Sequence, residues 1–121
     1  MNSPAYFFDT YAFFEILRAN PNYKKFETVQ AITTIFNLAE INYNLKKEKS
    51  KAEADDYTER YKEFLVPVTL DDIKAAMDLK MTKKDLSIPD VIGYIIAKKY
   101  GVKFLTGDIG FIGKENVELI R

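Results

Sequence analysis

Residues 87–108 read SIPDVIGYIIAKKYGVKFLTGD, and this stretch decides the fold class. Ser87 followed three residues later by Asp90 has the spacing of a capping box, with Pro89 tolerated in the first helical turn. Ile92, Ile95 and Ile96 carry the helix forward to a stop at Gly101, a residue type suited to the left-handed turn after a helix. A short apolar run, Lys103-Phe104-Leu105-Thr106, then has the make-up of a strand, and Gly107-Asp108-Ile109-Gly110 that of a turn. A helix that hands over directly to a buried strand ending on an acid is the unit of an α/β sheet.

The same alternation extends outward. Upstream, 65–68 is a strand candidate, with Pro67 placing it near an edge or strand end. Thr69-Leu70-Asp71-Asp72 opens a helix with a second capping-box spacing, continued by Ile73, Ala76, Met77 and Met81. In residues 46–63 Lys and Glu dominate, but Ala54, Tyr57, Tyr61 and Phe64 recur at helical intervals, which predicts a surface helix. Residues 35–49 have the length of a helix and 29–34 can hold a short strand. At the start, Ala5–Phe8 is an apolar run that stops at Asp9, followed by a helix through Phe13, Phe14, Ile16 and Leu17 that closes near Asn20-Pro21. A last strand is expected at 117–120. The pattern predicts an α/β fold, a central and mostly parallel sheet of four to five strands flanked by helices, with residues 1–121 forming one domain.

Composition supports this and removes much chemistry. The chain has 121 residues, 47% of them hydrophobic and 14% aromatic, enough for one packed core. It contains no Cys and no His, which excludes disulfides, thiolate zinc sites, Cys nucleophiles and Ser-His-Asp hydrolysis. Carboxylates remain, and they suit hard cations such as Mg²⁺ or Mn²⁺. Eighteen basic residues balance eighteen acidic ones, so a nucleic-acid footprint would have to be a local patch. Lys46, Lys47, Lys49 and Lys51, then Lys83-Lys84, then Lys98-Lys99 with Lys103, are the candidate patches, each interleaved with or flanked by acids that weaken it. Residues 1–4 carry no positive charge and no long apolar segment follows, so no membrane association and a cytoplasmic location are expected.

Four acids stand where a site can form. Ligands of open parallel sheets bind beyond the carboxyl ends of the strands. Asp9 and Asp108 each lie within two residues of such an end, Asp90 opens a helix, and Glu40 interrupts the apolar run Ile35-Phe36-Asn37-Leu38-Ala39-Glu40-Ile41. Each also has an ordinary structural reading. Asp9 can cap the next helix, Asp90 can complete a capping box, Asp108 can shape a turn, and Glu40 can join Asn37 and Asn44 on a solvated stripe.

Taken together, Asp9 after Tyr6-Phe7-Phe8, Glu40 in Leu38-Ala39-Glu40-Ile41, Asp90 in Pro89-Asp90-Val91-Ile92 and Asp108 in Leu105-Thr106-Gly107-Asp108 resemble the acidic quartet of PIN-domain ribonucleases. In size and spacing the chain is most similar to the toxins of virulence-associated VapBC toxin–antitoxin systems. Thr10, Thr106 and Phe111 match further family positions. Ile109 and Gly110 offer no fifth acid, and Gly93-Tyr94 replaces a small Ala pair.

The resemblance implies metal-dependent hydrolysis of RNA to a 5′-phosphate and a 3′-hydroxyl, using one or two Mg²⁺ or Mn²⁺ ions. It implies that Asp9, Asp90 and Asp108 bind metal, that Glu40 binds or orients a metal-bound water, and that Thr10 and Thr106 supply supporting hydroxyls. It further implies a homodimer and a small VapB-type antitoxin partner. Packing four carboxylates together is unfavourable without a cation, which gives the implied metal a physical reason. Two alternatives keep the fold: a catalytically inactive PIN-like RNA-binding or scaffold domain, and a stand-alone RNA-processing nuclease. A receiver-type signalling domain fits less well, because Asp9 stands alone and the 65–68 segment is followed by Thr69-Leu70 before any acid.

Overall fold

The computed structural model describes residues 5–121. Residues 1–4, on which the expectation about targeting falls, lie outside the described residues. Among the described residues four strands form one sheet: β1 (Ala5–Phe8), β2 (Gln30–Ile32), β3 (Lys103–Thr106) and β4 (Val117–Leu119). All pairings are parallel and the order is β2-β1-β3-β4. The helices are α1 (Thr10–Leu17), α2 (Ile35–Glu48), α3 (Lys51–Arg60), α4 (Leu70–Thr82) and α5 (Ile88–Lys99). The expected α/β fold with a parallel sheet is therefore what forms.

The two central strands are apolar because both of their faces are covered. Phe7 pairs with Phe104 and Phe8 with Leu105, and the side-chain alternation of a strand sends each pair to a different face. Phe7 and Phe104 stack at 5.5 Å between centroids and join Ile92, Ile96 and Phe111 in one core. Phe8 and Leu105 join Phe13, Tyr23, Leu38 and Ile41 in the other. Each fully buried side chain of this size contributes about 1.5–3 kcal/mol. Helix α5 lies close on its face because Gly93 has no side chain: a Cβ there would stand 2.6 Å from the Phe7 ring.

Two expectations are corrected. Segment 65–68 does not become a sheet strand; it makes only an isolated parallel bridge between Leu65 and Thr33. Pro67 lacks the N–H that would extend the ladder, so the sheet stops at four strands. The single surface helix expected over 46–63 is broken at Lys49-Ser50, where Lys49 is extended and the Ser50 side chain caps α3 by accepting from the Glu53 N–H. Ala54 is buried and Tyr57, Tyr61 and Phe64 pack against the core, so the face read from their spacing is an inward one. Among the described residues no helix is long and apolar enough to cross a membrane.

The chain path locates the site. From β1 it moves outward to β2, whereas β3 lies on the other side of β1. The carboxyl ends of β1 and β3 thus flank the point where the strand order reverses, and a crevice opens there.

Candidate active site

Asp9 leaves β1 and is the N-cap of α1; its Oδ1 accepts from the Ala12 N–H at 2.8 Å. It is 1% exposed. Asp108 follows β3 by two residues, and its Oδ1 accepts from the Gly110 N–H at 2.8 Å. Asp90 completes the capping box of α5, its Oδ2 accepting from the Ser87 N–H at 2.9 Å. Glu40 reaches in from α2 and accepts a hydrogen bond from the Thr10 hydroxyl. All four acids and Thr10 line one cavity of ≈ 510 Å³ at the carboxyl ends of the strands.

Thr106 lies beneath this cavity, fully buried. Its hydroxyl accepts from the Asp108 N–H at 3.0 Å, which fixes the start of the Asp108 loop. Gly107 is required for the approach of α1, since a Cβ there would fall 2.0 Å from the Tyr11 ring.

The ordinary structural readings of Asp9, Asp90 and Asp108 hold, and they leave room for a ligand. Capping uses one oxygen of Asp90 and one of Asp108; the other oxygen of each has no protein donor among the described residues. Caps fix where the carboxylates point, and the unused oxygens are what a ligand can bind.

The electrostatics are those of a site short of positive charge. Asp9 is pushed up to about 8, first by burial and then by the charges of Asp90 and Asp108; hydrogen bonds from Thr106 and the Ala12 backbone act against the shift. Asp90 is pushed up to about 6, again mainly by burial, with Glu40 and Asp108 adding repulsion and the Ser87 hydrogen bonds opposing it. Arg18 lines the cavity but is engaged by Glu15 at 3.8 Å and Glu48 at 3.1 Å. Among the described residues, no group of three or more acids is arranged as a ready-made cage for an ion. The donor set nevertheless fits a hard cation. It is all oxygen, it is repulsive without positive charge, and Mg²⁺ retains waters rather than requiring an all-protein shell.

The sequence matches the PIN-domain family over residues 6–115. The chain belongs to that family. No curated protein matches the chain significantly. Among solved structures this PIN domain is similar to a toxin–antitoxin complex from Klebsiella pneumoniae, with a TM-score of 0.73 and 18% identity over 93% of this chain and 94% of that one. It is similar to VapBC2 from Rickettsia felis bound to a DNA fragment from their promoter, with a TM-score of 0.70 and 15% identity over 97% and 99% of the two chains. A third likeness is to VapBC-5 of Mycobacterium tuberculosis, a member of the VapBC family of toxin–antitoxin systems, at 0.62 and 21% over 97% and 98%. At these identities the likeness concerns the fold. Family membership supports a nuclease.

Sequence reasoning missed several cavity residues of this PIN domain. Phe14, Glu15 and Arg18 line it from α1 beside Tyr11, and the spacing of three and four residues is that of one helix face, a signal that was present. Arg121 also lines it, and nothing local to Arg121 announces this. The stripe Asn37-Glu40-Asn44 is not solvated as a whole: Asn44 faces the cavity, whereas Asn37 is fully buried with its side-chain N–H₂ unpartnered among the described residues.

Proposed function

We propose that the chain is an endoribonuclease dependent on a divalent cation, with Asp9, Glu40, Asp90 and Asp108 as its metal-site acids. The observation that carries this reading is the convergence of four carboxylates on one cavity, two of them held well above their ordinary range. When bound there, Mg²⁺ or Mn²⁺ supplies charge neutralisation for a phosphodiester and acidifies a water for attack on it.

The chain's own residues hold and aim. Asp90 and Asp108 present the oxygens that their caps leave unused. Asp9 sits deepest and is held by the Ala12 N–H, while the Thr106 hydroxyl holds the Asp108 loop. Thr10 fixes the Glu40 carboxylate by donating to it, leaving Glu40 to orient a water at the cavity wall. No side chain needs to act as a nucleophile.

Residues 1–121 form a single PIN domain that works in the cytoplasm as the toxin of a toxin–antitoxin pair. The reading includes a homodimer and a small VapB-type antitoxin that masks the acids. The solved neighbours named above, which are toxin–antitoxin proteins, support it.

The test is cleavage of structured and single-stranded RNA with Mg²⁺, Mn²⁺ or EDTA, beside Asp9→Asn. Metal-dependent cleavage that leaves 5′-phosphate ends and is lost in the variant is expected. Cleavage that survives both EDTA and the substitution overturns the four-acid site. A folded protein that binds RNA but cleaves none moves the assignment to an inactive RNA-binding domain.

A further inference from the structure

A site made of four acids repels the polyanion it is meant to cut, and a bound cation offsets this only at the phosphate being cleaved. The flanking phosphates need positive charge from the protein. The basic clusters most conspicuous in the sequence are poorly placed for this: Lys47, Lys49, Lys83, Lys84 and Lys103 have no ion-pair partner among the described residues but line no part of the acidic cavity, and the others are paired. Lys46 and Lys51 both pair with Asp55, at 3.1 and 2.7 Å, Lys98 pairs with Glu115 at 2.8 Å, and Lys99 with Asp72 at 3.0 Å.

A different set is both unpaired and joined to the cavity. The 3₁₀ segment Pro21–Phe26 follows α1 and carries Lys24 and Lys25, both exposed. Beside it, the Ile120 N–H donates to the Thr106 carbonyl at 2.9 Å, which brings the chain after β4 to the foot of the Asp108 loop. The Tyr23 hydroxyl donates to the Ile120 carbonyl at 2.6 Å and the Asn22 side chain to the Arg121 carbonyl at 2.9 Å, so the two segments are fastened together. Between them runs an open cleft of ≈ 740 Å³ lined by Asn22, Lys24, Lys25, Leu119 and Arg121, with no acidic side chain in its lining. Arg121 lines both this cleft and the acidic cavity. Lys24, Lys25 and Arg121 have no ion-pair partner among the described residues, and Lys25 lies over the Phe26 ring at 5.2 Å.

We infer that the Lys24–Lys25–Arg121 cleft is the phosphate track that receives the single-stranded RNA flanking the cleaved bond, with Arg121 at the junction between track and cavity. This rests on the ribonuclease reading for its substrate, but not for its binding measurement. Charge is segregated along one continuous surface: oxygens for a cation at one end, cations for phosphates at the other.

The test measures binding of a short fluorescein-labelled oligouridylate to the Asp9→Asn protein by anisotropy across a salt series, with and without Lys24→Ala/Lys25→Ala. Loss of two phosphate contacts on a single strand lowers the slope of log K against log salt by about 1.4 and weakens binding about tenfold or more at ~0.1 M salt. Lys98→Ala/Lys99→Ala, which removes as much charge from paired lysines, is expected to leave the slope nearly unchanged. In the protein with Asp9 intact, Lys24→Ala/Lys25→Ala should raise KM for RNA with kcat nearly unchanged. Equal slopes for the two double variants overturn the track while leaving the four-acid site standing. An unchanged affinity in Lys24→Ala/Lys25→Ala also overturns it, and would leave these lysines to an acidic protein segment. A slope loss confined to Lys24→Ala/Lys25→Ala upholds the track even if no RNA is cleaved, and that combination separates it from the nuclease reading.

Discussion

Helices α4 and α5 begin with the same device. In α4 the Thr69 N–H donates to Asp72 Oδ2 at 2.9 Å and the Asp72 N–H to the Thr69 hydroxyl oxygen at 3.2 Å. In α5 the Ser87 N–H donates to Asp90 Oδ2 at 2.9 Å and the Asp90 N–H to the Ser87 hydroxyl oxygen at 3.2 Å. The two carboxylates are locally indistinguishable, and their surroundings are opposite. The helices pack antiparallel: the start of α4 meets the end of α5, where Lys99 reaches Asp72 at 3.0 Å, while Lys80 near the end of α4 donates to the Leu86 carbonyl just before α5. Asp72 is held below its ordinary range, by its capping hydrogen bond with the Thr69 backbone and by Lys99. Asp90 sits at the other end of α5, beside Glu40 and Asp108, and is pushed up to about 6. One capping box is complete as it stands; the other ends at a carboxylate that still lacks positive charge.

Swapping each acid for its amide is the sharpest way to break this comparison. Asp90→Asn keeps an oxygen for the Ser87 N–H but removes an anionic oxygen from the cavity. RNA cleavage with Mg²⁺ should fall by more than about 100-fold, beyond the loss typical of groups that only support a ligand. Asp72→Asn should cleave within about threefold of the parent, since Asp72 faces Lys99 and not the cavity; a larger loss in steady-state rate would erase the distinction.

Stability in the absence of metal should divide the same way, with opposite signs. Asp9 and Asp90 have raised values, so folding takes up protons. Their effect is a loss of stability as pH rises from about 4 towards about 8. Asp9→Asn should therefore stabilise the metal-free protein at pH 8 by on the order of 2 kcal/mol in urea melts, with the gap closing below pH 4. Saturating Mg²⁺ should remove the pH slope in the parent. Asp72 has a lowered value, so its stabilisation is present above about pH 4 and disappears as pH falls through its folded-state value. Asp72→Asn should be less stable than the parent at pH 7 and equal to it in acid.

The smallest expected effect belongs to Lys99→Met. Lys99 is 43% exposed at its side chain, and solvent screens the pair, so the loss at pH 7 should stay below about 1 kcal/mol. It should shrink further in high salt. A loss several times larger in the same urea melts would mean that Lys99 anchors α4 against α5 by more than its charge.

Such contrasts separate what is local in the chain from what is not. Both capping boxes, the stop at Gly101 and the strands at Ala5–Phe8 and Lys103–Thr106 were legible, because each depends on neighbours within four residues. The 65–68 segment misled because a short apolar run has the same composition whether or not it finds a partner. Here Thr33 takes the one bridge and Pro67 ends the ladder. The helix end at Lys49 was legible from residues 35–49, but charge periodicity running through 46–63 hid where the next helix begins. Among the candidate site residues, Asp9, Thr10, Glu40, Asp90 and Asp108 meet at the cavity and Thr106 lies beneath it. Arg121 could not have been found locally, since it reaches the cavity only through Ile120 pairing with Thr106.

By itself, then, the sequence determined the chemistry available and the local frame. It leaves oxygen ligands without His or Cys, acids at strand ends and helix starts, and apolar strands that require cover on both faces. Tertiary structure alone decided which charges are spent. Asp72 and Asp90 are written in the same local code, and Lys98-Lys99 is the same dipeptide as Lys24-Lys25. Only the packing of α4 on α5, and of α5 against the loop that carries Glu115, pairs one of each couple and leaves the other free. Coulomb energy depends on distance through space and on burial, and neither is a property of position along the chain.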